Sequence, residues 1–130
     1  MRLLLDTHAF LWYITDDSRL PALAADAIRQ KDNDVYLSVV SVWEALVKYQ
    51  IGKLALPSPA DAYINERRIA HQITSLPLEE PALSHLPRLP MHHRDPFDRM
   101  LICQALHHEL TVVTLDGQFA TYPVSVLSLG

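Results

Sequence analysis

Asp6, Glu44, Asp98 and Asp116 are the residues whose types and placement suggest chemistry. Asp6 ends the apolar run Arg2-Leu3-Leu4-Leu5, Glu44 comes just after Val35-Tyr36-Leu37-Ser38-Val39-Val40, and Asp116 ends Thr111-Val112-Val113-Thr114-Leu115. Asp98 falls in the first turn of a helical pattern that begins at Pro96. Acids set where strands give way to helices or turns can share one pocket, and a pocket of carboxylate oxygens suits Mg2+ or Mn2+. Zinc has less support. His92 and His93 are adjacent, so on an extended chain they point to opposite sides, and no His-x-x-x-His spacing occurs. His107 and His108 lie at a helix end, where positive charge is favourable.

Each acid also has a purely structural reading. Asp6, followed by Thr7 and the helical run Ala9-Phe10-Leu11-Trp12, is a good helix N-cap. Ser41-Val42-Trp43-Glu44 matches a capping box, and Lys48 stands at i+4 from Glu44 as a helix-surface ion pair. Asp95 before Pro96 reads as an N-cap with proline at the first helical position, which leaves it a secondary, auxiliary place in the pocket. Asp98 shares a stripe with Leu101, Ile102 and Ala105 and so projects inward, where a lone charge is costly. Asp116-Gly117 is a common turn dipeptide, with Thr114 two residues earlier placed to hydrogen-bond a ligand carboxylate or a metal-bound water. The convergence of several acids, more than any one of them, favours a pocket.

The elements that would position these acids alternate. Short, continuously apolar runs read as buried parallel strands: Arg2 to Leu5, Val35 to Val40 and Thr111 to Leu115. Helical patterns cover Thr7 to Ile14, Pro21 to Gln30, Ser41 to Gln50, Ser58 to Gln72 and Pro96 to His108, with a weaker one from Glu80 to Leu86. Ile73 to Leu78, interrupted by Pro77, suits an edge strand, and Val124 to Leu127 would close an edge of the sheet. The expectation is an α/β fold, a mostly parallel central sheet of about five strands with helices on both faces. Ligands bind such sheets outside the carboxyl ends of the strands.

Composition sets the frame. With 130 residues and 49% apolar residues, a single domain over 1–130 is expected, with a sizeable core of its own. Asp6 cuts the first apolar run too early for a signal peptide or membrane span, so no membrane association and a cytoplasmic location are expected. Cys103, the single cysteine, sits among Leu101, Ile102 and Ala105 and reads as a buried structural thiol. The formal charge of −4 argues mildly against a protein that coats nucleic acid, though the pocket acids alone could account for it.

The chain resembles the PIN-domain ribonucleases of the VapC toxin type. The likeness rests on Leu5-Asp6-Thr7-His8 with Leu11-Trp12, on Ser41-Val42-Trp43-Glu44, and on Lys48 with Gly52-Lys53-Leu54. It continues through His93-Arg94-Asp95-Pro96-Phe97-Asp98-Arg99, Ile102 with Gln104-Ala105, and Val113-Thr114 with Asp116 and Phe119. The resemblance implies a PIN-like three-layer sandwich and Mg2+-dependent cleavage of RNA, with a cognate antitoxin that blocks the site and a homodimer as the usual assembly. It carries the catalytic and metal-binding roles to Asp6, Glu44, Asp98 and Asp116, with Thr7 and Thr114 as polar neighbours. Arg94 and Arg99 become candidates for RNA phosphate contact, beside the alternative of solvated surface charge. A receiver-type phospho-acceptor module would want adjacent acids after the first strand and a lysine ending a late strand, and Asp6-Thr7 and Thr114-Leu115-Asp116 supply neither. A catalytically silent binding protein that only docks an antitoxin is the other alternative, weakened by the presence of all the acids. Asparagine replacements separate cap from ligand: Asp95→Asn should retain RNA cleavage because Asn caps as well as Asp, and Asp98→Asn should abolish it at every Mg2+ concentration. Equal loss in both would place Asp95 in the pocket.

Overall fold

The computed structural model describes residues 1–92 and 95–129. Its order is β1 (Arg2–Leu5), α1 (Thr7–Ile14), α2 (Ala22–Arg29), β2 (Asp34–Ser38), α3 (Val39–Gln50), α4 (Ala60–Ala70), β3 (Thr74–Leu76), a 3-10 segment (Glu80–Arg88), α5 (Pro96–His108), β4 (Thr111–Val113) and a short 3-10 turn (Gly117–Thr121). The strands form one four-stranded sheet in the order β3-β2-β1-β4, with every pairing parallel. Among the described residues the expected fifth strand shrinks to a single parallel bridge, Val112 to Val126. The sheet therefore has four strands rather than about five.

Successive residues of β1, one of the two inner strands, enter different cores. Leu3 and Leu5 belong to a core with Val35, Leu37 and Val113 that packs on α1 to α4. Leu4 belongs to a second core with Val112, Leu101, Ile102, Cys103 and Phe119, built against α5. Helices thus cover both faces, as a parallel sheet requires. Cys103 is a fully buried free thiol.

The second strand and its helix divide differently from the sequence reading. The β-branched Val39 and Val40 look like strand, yet the strand stops at Ser38 and α3 begins at Val39. The Ser38 hydroxyl accepts from the Val40 N–H and is the true N-cap, while Val40 packs into the second core. Cap and packing outweigh propensity here. Ser41, two residues into the helix, is buried and caps nothing, and its hydroxyl has no partner among the described residues. The capping-box reading of Ser41 and Glu44 is therefore incorrect, and Glu44 is free of that structural duty.

Prolines shape the connection that follows. Leu76 ends an edge strand just before Pro77, as the proline predicted. Pro81 and Pro87 fall within the stretch from Glu80 to Arg88, which forms 3-10 turns where an α-helix was expected. Gln104, fully buried on α5, ties this connection to the sheet: its Nε2 donates to the Pro77 carbonyl at 3.2 Å and its Oε1 accepts from the Ser38 hydroxyl at 2.5 Å. Gln104→Leu keeps the volume but leaves both partners unpaired, so urea unfolding should show a loss of about 1–3 kcal/mol. Combined with Ser38→Ala, the loss should be less than additive, since both changes remove one shared bond. Strict additivity would show that the pair does not couple β2 to α5.

Candidate active site

Parallel strands carry their carboxyl ends to one edge, and Asp6, Ser38 and Thr114 directly follow or end β1, β2 and β4 there. Asp6 serves two neighbours at once. Its Oδ1 accepts from the Ala9 N–H at 2.7 Å and caps α1, and its Oδ2 accepts from the Thr114 hydroxyl at 2.5 Å. Thr114 in turn accepts from the Asp116 N–H, so one hydroxyl links β1 to the β4 turn. Glu44 comes in from α3, 3% exposed, with Oε1 accepting from the Thr7 hydroxyl at 2.6 Å and Oε2 holding the Lys48 ammonium at 2.7 Å. Asp95 caps α5 through the N–H groups of Phe97 and Asp98. Asp116 caps the final 3-10 turn through the Gln118 N–H and is exposed.

The electrostatics tie these acids together. Burial, and then the charges of Asp95, Glu44, Asp6 and Asp116, push the Asp98 carboxyl up to about 7. Only groups near one another perturb each other in this way. Burial also pushes Asp6 up, against the opposing hydrogen bonds from Thr114 and Ala9. Lys48 feels burial that disfavours its charge, yet Glu44, Asp95 and Asp98 hold its pKa above the ordinary lysine value.

Lys48 is the residue whose place the sequence reading missed. It was expected as a helix-surface partner of Glu44, and it stands half-buried within the field of three acids. Its i+4 spacing was the available signal, but only the packing of α3 against α1 and α5 turns that pair inward. Arg99 also departs from expectation. Its guanidinium is buried and bonds the Pro90 carbonyl at 2.9 Å and the Tyr122 hydroxyl at 3.3 Å, so it anchors the chain leading into α5 and offers no exposed charge to phosphate. His93 and Arg94 lie outside the described residues.

The donor set fits a hard divalent cation. Every acid at this edge offers oxygen, the Thr7 and Thr114 hydroxyls fix two carboxylates, and Asp98 is pushed up first by burial and then by its acidic neighbours. No three of these acids bring oxygens within 4.8 Å of one another. A divalent cation held here would therefore take part of its coordination from water.

The PIN domain model matches residues 3–124. The chain belongs to the PIN-domain family. One relative is Ribonuclease VapC16 of Mycobacterium tuberculosis, 38% identical over 56 residues, a stretch covering 38% of this chain and 40% of that protein. The match to that relative thus spans less than half its length. Two solved structures share the PIN fold almost end to end. VapBC2 from Rickettsia felis, bound to a DNA fragment from its promoter, superposes with a TM-score of 0.74 at 14% identity over 98% of each chain. FitAcB from Neisseria gonorrhoeae gives 0.63 at 24% identity, over 97% of this chain and 96% of that one.

The acidic edge of this PIN domain should weaken the metal-free fold as it ionises. An acid whose folded pKa lies above its unfolded value binds more protons when folded, so stability falls as pH rises through that window. For Asp98 the window runs from the ordinary 3.8 to about 7, and Asp6 shifts in the same direction. With metal kept off by a chelator, the urea midpoint should fall across that range. Asp98→Asn should flatten most of the fall and be more stable than the parent above it. A parent profile flat from acid to neutral pH would show that the carboxylates do not oppose one another as described.

Proposed function

We propose that this PIN domain is a Mg2+-dependent endoribonuclease of the VapC toxin type, hydrolysing RNA phosphodiester bonds and neutralised by a cognate antitoxin. The observation that carries this reading is the gathering of Asp6, Glu44, Asp98 and Asp116 at the carboxyl edge of a parallel sheet. The stretch shared with Ribonuclease VapC16 supports the same substrate class. Asp6, Glu44, Asp98 and Asp116 would hold Mg2+, or Mn2+ in its place. Such an ion would polarise the scissile phosphate and lower the pKa of the attacking water.

The rest of the work falls to this chain's own side chains. Thr114 and the Ala9 N–H fix both oxygens of Asp6, and Thr7 with Lys48 fixes both oxygens of Glu44, so neither carboxylate needs to reorganise on binding. Lys48 also neutralises one negative charge beside an anionic substrate. Asp95 acts as an auxiliary by starting the helix that presents Asp98.

An antitoxin would meet the same field. Arginine binds carboxylates through two hydrogen bonds, so a basic side chain can compete with the cation for the pocket. The similar VapBC2 and FitAcB structures support a partner of that kind. Trp43, 59% exposed, and the half-buried Trp12 and Tyr49 offer apolar surface for docking or for a homodimer contact. Among the described residues no helix is long and apolar enough to cross a membrane.

Purified chain should cleave RNA in Mg2+ or Mn2+ and stop in excess EDTA. Even outer-sphere partners of a metal are worth about 10–100-fold, so Asp6→Asn should cost at least that in rate while the protein stays folded. Expression alone should arrest growth, and co-expression with its neighbouring antitoxin should relieve the arrest. Undiminished cleavage by metal-stripped protein in EDTA would remove the metal mechanism. An active chain that is harmless at high expression would remove the toxin reading and leave a housekeeping nuclease.

A further inference from the structure

A second set of metal-ligating side chains lies at the other end of α5. Glu79, just before the 3-10 segment, and His107 and His108, the last residues of the helix, each offer a ligand atom, and these atoms all lie within 4.8 Å of one another. Among the described residues it is the one triad of His, Cys, Asp or Glu that converges so closely. The His107 ring meets the His108 ring edge-on with centroids 4.9 Å apart and meets the His85 ring at 5.6 Å. Of the chain's 7 histidines, then, His85, His107 and His108 crowd together beside one carboxylate.

The crowding lacks an internal explanation. His108 Nε2 is buried and has no hydrogen-bond partner among the described residues. A buried, unpaired nitrogen is costly, and imidazole is the commonest side-chain metal ligand. Arg2 Nη1 already occupies the His108 carbonyl at 2.6 Å, which leaves the rings rather than the backbone for a cation. The negative end of the helix dipole lies at the same place and favours positive charge.

We propose that Glu79, His107 and His108 bind a divalent transition-metal ion, zinc foremost, at a site separate from the acidic edge. Two imidazoles and a carboxylate form a known zinc donor set with a fourth position left for water. Zinc bond lengths near 2.0–2.1 Å put tetrahedral ligand atoms about 3.4 Å apart, so side-chain rotations that close the triad by about 1.5 Å or less complete it. Nitrogen donors select Zn2+, Ni2+ or Cu2+ over Mg2+, which separates this site chemically from the oxygen-only edge. It is also distant. His107 lies nine residues beyond Asp98, about 14 Å along the helix axis. The ion would fasten the proline-rich connection to α5 below the Gln104–Pro77 bond, with His85 positioning the His107 ring.

The test uses tag-free, metal-stripped full-length protein titrated with Zn2+ by calorimetry, with Mg2+ in excess to occupy the acidic edge. The expected result is one Zn2+ per chain and a raised melting temperature, since a ligand that binds only the folded state stabilises it. His107→Gln and Glu79→Gln should each weaken binding about tenfold or more and abolish the thermal shift, while Asp98→Asn leaves both intact. Glu79 is exposed, so its substitution keeps the test valid if the histidine variant folds poorly. Co2+ in place of Zn2+ should give a visible absorption band that Glu79→Gln removes. The proposal is overturned if the parent binds no Zn2+, if a folded Glu79→Gln protein binds it like the parent, or if Asp98→Asn removes the binding instead.

Discussion

Mutual repulsion among carboxylates is the constraint that the rest of this molecule must satisfy. Asp6, Glu44, Asp95, Asp98 and Asp116 lie close enough that four of them shift the fifth. Nothing local favours such a gathering. It is imposed by the sheet, whose strands can all pair in parallel only if their carboxyl ends meet at one edge, and by Leu3, Leu4 and Leu5, which bury both faces of β1 completely. The two cores supply the free energy that holds the charges together.

Most of these acids reduce their own cost by structural service. Asp6, Asp95 and Asp116 each accept backbone N–H groups at the start of a helix or turn, where the partial positive charge of the helix end suits a carboxylate. Cap and ligand roles are therefore compatible, and for Asp6 one oxygen caps while the other receives Thr114. Glu44 has no cap to make and depends on Thr7 and Lys48. Asp98 bears the largest penalty, consistent with its inward stripe on α5.

Local signals explain what the sequence made legible. Arg2–Leu5, Thr7–Ile14 and Pro96–His108 have the bounds expected of them because Asp6 and the Asp95-Pro96 pair mark their limits within one or two residues. Val39 and Val40 misled because β-branched residues favour strands, while the deciding contacts, the Ser38 cap and the second core, were partly non-local. The last strand reduced to one bridge because Val126 pairs only at Val112. The acids themselves could be singled out, but Lys48 entered the site only through the packing of α3 on its neighbours. Glu79 and His107 come from separate elements with no shared motif, so only the fold reveals them as neighbours.

The charge of the chain is largely a property of this edge. Of the chain's 15 acidic and 11 basic residues, five acids and Lys48 stand there among the described residues, a formal excess equal to that of the whole chain. That excess makes a local negative field at the edge. A phosphate backbone approaching this edge would be repelled until a cation intervenes, since among the described residues Lys48 stands against five acids. On the proposed reading, Mg2+ is then needed to admit the substrate as well as to activate water. On the same reading a partner's arginine would meet the charge that the ion meets, and the two would compete for the edge.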